Sequence, residues 1–156
     1  MIVVISFGLL CLLSATLAWI DIRHGIIPDW LNLTMAGLGL SKALLVGGAP
    51  TGLELLGEGV AIGSVFWLLR WAYFTFRKIQ GLGLGDVKFL AAAGIWVGVA
   101  GLPMLLLVAA LTALASAGIM QLAGRRLSAQ TAISFGPFLA VGLLFTASLQ
   151  QRWPCC

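Results

Sequence analysis

Long apolar runs, separated by short polar or glycine-rich breaks, dominate this chain. A helix that crosses a membrane needs about 20 mainly apolar residues. The first run, residues 1–20, contains no charged side chain. Further apolar runs follow at 30–46, 58–76, 86–100, 102–123 and 134–149. This pattern predicts an all-α fold, a polytopic membrane helical bundle with about six transmembrane helices.

The breaks between these runs carry residues that commonly end helices. Glycine and proline cluster at 47–50, 81–85 and 101–103, and a Gly-Arg-Arg triplet follows at 124–126. We expect the fourth helix to end and the fifth to begin near 101–103. Glycines four positions apart, which allow helices to approach closely, occur twice: Gly59 with Gly63, and Gly94 with Gly98.

The first run raises the alternative of a cleaved secretory signal peptide. Thr16-Leu17-Ala18 resembles a weak cleavage site. No positively charged segment precedes the run, and more apolar runs follow it, so we expect a retained helix.

Composition indicates the same class of protein. Of the 156 residues, 61% are hydrophobic and only 9% are charged, whereas soluble domains average about 25% charged residues. A chain of this length fits one compact bundle. We therefore expect a single membrane-embedded domain over 1–156.

The basic residues are unevenly distributed along the chain. The formal net charge is +4, but these residues lie between apolar runs without a basic stripe, so nucleic acid binding is not expected. Seven of the nine Lys and Arg residues fall on one side of a six-helix arrangement: Arg23, Arg70, Arg77, Lys78, Lys88, Arg125 and Arg126. Because positive loops stay cytoplasmic, both termini should face the outer side of the membrane. Asp21 and Asp86 then lie at its cytoplasmic face.

Five acidic residues occur in the chain, and two of them flank predicted turns on the same side of the membrane. Asp21 ends the first predicted helix and Asp86 opens the fourth. One such carboxyl group could activate water while the other protonates a carbonyl and then a leaving amine. This chemistry needs no metal or organic cofactor, and the single histidine excludes a histidine-rich metal site. The structural alternative is that Asp86 only caps a helix and Asp21 only marks the membrane interface.

Three motifs occur in the order and spacing of a known family: Asp21-x-Arg23-x-x-x-Ile27-Pro28-Asp29, Gly83-x-Gly85-Asp86-x-Lys88 and Phe135-Gly136-Pro137-Phe138-Leu139. The first two resemble the signatures of type IV prepilin peptidases, and the third resembles their last-helix segment. The resemblance implies an aspartic endopeptidase that removes the basic leader of prepilins or pseudopilins on the cytoplasmic side. It also implies that the membrane is the bacterial inner membrane, so both termini are expected in the periplasm.

The resemblance also assigns residues and partners. The catalytic aspartates of the family match Asp21 and Asp86. Other motif residues are expected to bind substrate or support the site: Arg23, Pro28, Asp29, Gly83, Gly85 and Lys88. The expected partners are prepilin or pseudopilin substrates and the lipid bilayer, with no cofactor, no metal and no nucleic acid.

Helix ends suggest how the two aspartates divide the work. Asp21 is expected at a C-terminal helix end, where the negative end of the helix dipole opposes an anion. Asp86 is expected at an N-terminal end, where free N–H groups stabilise an anion. Asp86 should therefore be the base that activates water, and Asp21 the acid that faces the scissile carbonyl.

Longer members of the family carry an N-terminal extension with four cysteines, linked to N-methylation of the mature pilin. This sequence contains three cysteines, Cys11, Cys155 and Cys156, and no CxxC pair. We therefore expect peptidase activity without N-methyltransferase activity.

Two other functions fit parts of the pattern. A small transporter, or a proton or cation channel, could use Asp21 and Asp86 as a relay. Such a relay should lie near the membrane midplane, whereas both aspartates lie at predicted helix ends. An inactive assembly subunit is the other alternative, and the presence of both aspartates argues weakly against it.

Overall fold

The computed structural model describes residues 1–77, 83–122 and 135–152. All secondary structure in these stretches is helical: α1 Ile2–His24, α2 Asp29–Arg77, α3 Leu84–Leu122 and α4 Gly136–Arg152. The predicted all-α class is thus confirmed for the described part of the chain. Three stretches are long and apolar enough to cross a membrane: α1, Asp29–Phe76 of α2, and α3. Several residues used in the sequence predictions lie outside the described ranges: Lys78, Arg125, Arg126, Cys155 and Cys156.

One face of α1 is buried along its length. Its buried residues recur every three or four positions, as the helical period requires: Ser6, Leu10, Ser14, Leu17 and Asp21. The helix ends at Gly25, which is left-handed (φ 62°) and donates its N–H to Asp21 O at 2.8 Å. Asp21 therefore lies in the last turn of α1, on the buried face.

α2 is interrupted at Gly48, where φ is 80° and ψ is −176°. Glycine favours this left-handed conformation, and Pro50 lies in the first turn of the segment that follows. The break predicted at 47–50 is confirmed. The helix predicted over 58–76 begins earlier than expected, because the segment after Gly48 continues through the predicted loop.

α3 is interrupted at Gly98, where φ is 69° and ψ is 176°. The boundary predicted at 101–103 was therefore placed too late. Pro103 lies inside the second segment of α3, where only about one turn of helix precedes its ring. Gly98, which tolerates a positive φ, makes the break instead.

Side chains from two other helices bond the backbone on both sides of this break. Gln150 Nε2, from α4, donates to Val97 O at 2.8 Å. Val99 N–H donates to Glu58 Oε2, from α2, at 2.8 Å. We refer to these five residues, with Gly98 at their centre, as the Gly98 corner. It holds α2, α3 and α4 together and satisfies backbone groups that the break leaves unpaired.

The crossing of α2 and α3 is close because small residues line it. A Cβ atom on Gly59 would lie 2.6 Å from Ile95 Cγ1 and 2.8 Å from Ala91 O. A Cβ atom on Gly94 would lie 3.2 Å from Gly59 Cα. The packing role predicted for these two glycines is confirmed, whereas Gly98 serves the backbone break.

The outer surface of the described helices is largely apolar. Large hydrophobic side chains remain exposed on all four helices, among them Val4, Leu33, Leu69, Leu114 and Phe145. The interior is filled by a core that includes Leu10, Leu17, Phe89, Leu139 and Leu143. Exposed apolar surface on this scale is expected where the solvent is the hydrocarbon of a bilayer.

Candidate active site

The carboxyl group of Asp21 lies inside the bundle, where the end of α1 meets the start of α4. Only 5% of Asp21 is exposed. The backbone N–H of Gly136, the first residue of α4, donates to Asp21 Oδ2 at 3.0 Å. This bond joins residues that are 115 positions apart, and it links the first motif directly to the third.

Gly136 leaves no room for a side chain at this contact. A Cβ atom there would lie 2.9 Å from Asp21 Cγ and closer still to Asp21 Oδ2. Pro137 has no N–H, and the N–H groups of Phe138 and Leu139 donate to Phe135 O at 3.1 and 3.2 Å. In the first turn of α4, the Gly136 N–H is the one directed at Asp21.

Asp86 lies in the first turn of α3 and is partly buried. The Gly83 backbone forms a hydrogen bond with its carboxyl group. A Cβ atom on Gly83 would lie 3.1 Å from Asp86 Oδ2, so this turn closes tightly around the carboxyl. The carboxyl groups of Asp21 and Asp86 are close enough to interact through their charges. The fold therefore brings together the two residues that the sequence predicts to be catalytic.

An ion pair joins the first motif to the second. Lys88 Nζ lies 2.7 Å from both Oδ1 and Oδ2 of Asp29. The side chains are 41% and 72% exposed respectively, so the pair stabilises the fold by no more than about 1 kcal/mol. Its effect on the site is geometric, because it ties the start of α2 to the turn of α3 that carries Asp86.

Gly85 and Pro28, two further predicted supporting residues, shape the junction between these motifs. A Cβ atom on Gly85 would lie 2.9 Å from Ile27 Cβ, so a glycine lets α3 begin against the α1–α2 connection. Pro28 O accepts the Leu31 N–H at 3.2 Å, which winds the first turn of α2. Gly85 thus sets how closely α3, which carries Asp86, approaches this connection, and Pro28 shapes the start of α2 beside it.

Arg23, also a predicted supporting residue, lies on the exposed face of α1. Its guanidinium group is 5.0 Å from the centre of the Trp19 ring, within the range of a cation–π contact. Asp21, two positions earlier, occupies the buried face of the same turn. Residues two apart on a helix do not face each other, which explains the separation.

Helix position does not distinguish the two aspartates as the sequence argument assumed. From the sequence, only Asp86 was expected at a helix N-terminus. The structure also places Asp21 against one, because the Gly136 N–H at the start of α4 donates to its carboxyl. Both carboxyl groups therefore have a backbone partner. The assignment of Asp86 as the base and Asp21 as the acid was based on their different helix ends, and this difference no longer distinguishes them.

The remaining acidic and histidine side chains of the described residues are dispersed. No group of three or more His, Cys, Asp or Glu residues there is arranged to hold a metal ion. Glu58 is engaged in the Gly98 corner, and Asp29 in the ion pair with Lys88. Among the described residues, Asp21 and Asp86 are two carboxyl groups that interact through their charges.

Sequence reasoning missed the parts played by Gly136, Glu58 and Gln150. The segment around Gly136 was recognised as a motif but was not placed in the site. Its signal was a Gly-Pro step opening an apolar run, typical of a helix start that another group approaches closely. Glu58 and Gln150 gave no local signal, because their partners lie on another helix.

Comparison with known proteins identifies a family and several curated relatives. Residues 8–118 match the model of the type IV leader peptidase family. The chain is 42% identical over 131 residues to the prepilin leader peptidase/N-methyltransferase of Escherichia coli (strain K12), covering 81% of this chain and 55% of that relative. A protein of the same name from Burkholderia pseudomallei (strain 1026b) is 37% identical over 138 residues, covering 88% and 43%. Another from Dickeya chrysanthemi is 39% identical over 140 residues, covering 86% and 47%. No solved structure matches the chain.

The chain spans about half the length of the curated relatives it matches. The region matched by the family model includes both Asp21 and Asp86, on α1 and α3. The resemblance inferred from the sequence motifs is confirmed. The chain belongs to the type IV leader peptidase family.

Proposed function

We propose that this chain is a membrane aspartic endopeptidase that removes the basic leader from prepilins or pseudopilins, with Asp21 and Asp86 as its catalytic pair. Membership of the type IV leader peptidase family supports the activity and the substrate class. The assignment of residues rests mainly on one observation, the approach of the two motif carboxyl groups from the ends of α1 and α3.

Two adjacent carboxyl groups supply the proton transfers that peptide hydrolysis needs. The ionised group takes a proton from water, whose oxygen attacks the scissile carbonyl carbon. The protonated group gives its proton to the carbonyl oxygen, which yields a neutral tetrahedral diol. As the diol collapses, the group that took the water proton gives it to the leaving nitrogen, a diol hydroxyl returns its proton to the other carboxylate, and the C–N bond breaks. The leader then ends in a carboxyl group, and the mature chain begins with an amine.

Cleavage of a prepilin by membranes that contain this protein tests the proposal. Wild-type membranes should yield a product shortened by the leader, whereas Asp21→Asn and Asp86→Asn membranes should not. Glu54→Gln is a matched control, because it removes an exposed carboxyl group on α2 outside the pair. Normal processing by either Asn variant would overturn the catalytic assignment.

The proposed topology is a bundle that crosses the bacterial inner membrane about six times, with both termini in the periplasm and the aspartate pair at the cytoplasmic face. The breaks at Gly48 and Gly98 support it, because they divide α2 and α3 each into two apolar segments. Arg23 and Lys88 lie within two positions of the aspartates, as expected at cytoplasmic helix ends.

Cysteine labelling with a membrane-impermeant maleimide tests this topology in whole cells. His24→Cys and Ala49→Cys are suitable sites, because both residues are exposed at helix ends or breaks. In a chain whose native cysteines are replaced by serine, position 49 should be labelled from outside and position 24 should be protected. The opposite result would reverse the topology.

Family membership does not favour the alternative of a transporter or channel. An inactive assembly subunit predicts no shortened product in the cleavage assay. The absence of N-methyltransferase activity and the absence of a metal or cofactor requirement stay predictions.

A further inference from the structure

We propose that Gly136 is the positioning residue for Asp21. Its backbone N–H holds one oxygen of the carboxyl group, and its missing side chain leaves the space that this carboxyl occupies. The inference rests on the proposed function, because it explains how the third motif serves the aspartate pair. Gly136 touches Asp21 and acts through it.

The hydrogen bond between these residues is buried and spans two helices. Gly136 N lies 3.0 Å from Asp21 Oδ2, and only 5% of Asp21 is exposed. An N–H donor to a carboxylate is stronger than a neutral pair, and it strengthens further where water is excluded. Such a bond restricts the rotation of the carboxyl group about the bonds of its own side chain.

The donor itself has little freedom to move. Phe138 and Leu139 close the first turn of α4 onto Phe135 O, so the direction of the Gly136 N–H is set by the helix start. Pro137 fixes its own φ in that turn. The N–H therefore points at Asp21 because of how the helix begins.

The rest of α4 is anchored against α3. Leu139 and Leu143 are fully buried in the core. Gln150 Nε2 bonds Val97 O at 2.8 Å in the Gly98 corner. A Cβ atom at Gly142 would meet the α3 backbone at Leu105, so the two helices are in close contact there as well. α4 is consequently held along its length, and its first residue keeps its place.

A side chain at position 136 would therefore displace the carboxyl group of Asp21. A Cβ atom there would lie 2.9 Å from Asp21 Cγ and 3.3 Å from Asp21 Cβ, and closer still to Oδ2. The Asp21 carboxyl group can rotate about its side-chain bonds, whereas α4 is packed along its length. A misplaced carboxyl group should slow the chemical step and leave the binding of substrate nearly unchanged.

The kinetics of the Gly136→Ala variant test this role. They are measured on purified, detergent-solubilised protein with a prepilin substrate. We expect kcat to fall on the order of 100-fold, the cost of a misplacement of about 1 Å, with KM changed less than about threefold. Gly118→Ala is the matched control, because a Cβ atom there meets nothing within 4 Å, and its kcat should match the wild type. A Gly136→Ala enzyme with wild-type kcat, or with a loss confined to KM, overturns the inference while leaving the peptidase activity in place.

A backbone ester at position 136 covers the case in which Gly136→Ala fails to fold. Glycolic acid, incorporated there by cell-free synthesis into nanodiscs, removes the N–H and adds no side chain. The ester protein should lose kcat at near-constant KM, and an unchanged kcat would overturn the positioning role.

A thermal-stability cycle gives a readout that does not depend on the substrate. Gly136→Ala should lower the Tm of the wild type, and should lower it much less in an Asp21→Ala background, where the carboxyl group is gone. Equal losses in both backgrounds would show that the space at 136 does not belong to Asp21. If the wild type cleaves no prepilin, the proposed function fails, and this cycle alone still supports or overturns the contact.

Discussion

Glu58 and Asp21 each accept a backbone N–H from the start of a helical segment on another helix, but only Asp21 is a catalytic candidate. Glu58 Oε2 accepts the Val99 N–H at 2.8 Å, and Asp21 Oδ2 accepts the Gly136 N–H at 3.0 Å. In both places a glycine makes room for the carboxyl group. A Cβ atom on Gly98 would lie 2.7 Å from Glu58 Oε2.

The two sites differ in the chemical group that neighbours each carboxylate. Beside Glu58, the other side of the break is bonded by the amide of Gln150, which does not exchange protons near neutral pH. Asp21 interacts through its charge with the carboxyl group of Asp86, which does exchange protons. Glu58 is therefore interpreted as a helix cap. Asp21 is a candidate for catalysis because a second titratable group interacts with it.

The largest expected difference between the two sites is in activity. Asp21→Asn should reduce the rate of prepilin cleavage at least about 100-fold, because it removes one member of an acid–base pair. Glu58→Gln should keep the rate within about threefold, since the amide oxygen still accepts the Val99 N–H. Initial rates of product formation in membranes with matched protein levels measure both. A comparable loss of cleavage rate in Glu58→Gln would show that Glu58 is not only a helix cap and would contradict the contrast with Asp21.

The next largest difference is in stability. Gly98→Ala forces a side chain into a left-handed conformation and against Glu58, and it should lower the free energy of unfolding by about 2 kcal/mol. Its cleavage rate per folded molecule should stay near that of the wild type, in contrast to Gly136→Ala. Unfolding in mixed micelles with increasing SDS gives the free energy, with Gly118→Ala as the control. A Gly98→Ala protein of normal stability would contradict the role of the corner.

The smallest effect is expected at the exposed ion pair, which is close to Asp86 but transfers no proton. Asp29→Asn or Lys88→Gln should lower the free energy of unfolding by no more than about 1 kcal/mol. Cleavage should fall only about threefold, because the turn that carries Asp86 is still held by the packing of Gly85. The double change Asp29→Lys with Lys88→Asp should recover part of the loss, measured with the same substrate. Equal losses in the double and single variants would show that the pairing itself is unimportant.

The sequence predicted those features whose causes are local. The apolar runs predicted the helical class, and the Gly47-Gly48-Ala49-Pro50 stretch predicted the break in α2 because glycine and proline act on their own backbone. The motif around Asp86 placed it in the first turn of a helix, where the structure has it.

Features that depend on distant partners were not predicted. The break in α3 was expected at 101–103, where proline and glycine cluster. It falls at Gly98, where the side chains of Glu58 and Gln150 bond the backbone from other helices. The bond from Gly136 to Asp21 spans 115 positions, so nothing in either local sequence identifies the partner.

The Gly98 corner has a consequence for how this chain tolerates insertions and deletions. Between Asp86 and Gly98 the helix is continuous, and at 1.5 Å per residue it spans about 18 Å. One inserted residue in this stretch would rotate Asp86 by about 100° relative to the corner and turn its carboxyl group away from Asp21. Neighbouring side chains can repack around a substitution, but they cannot restore this rotational register. The residue count of this stretch should therefore be constrained more strictly than its amino-acid content.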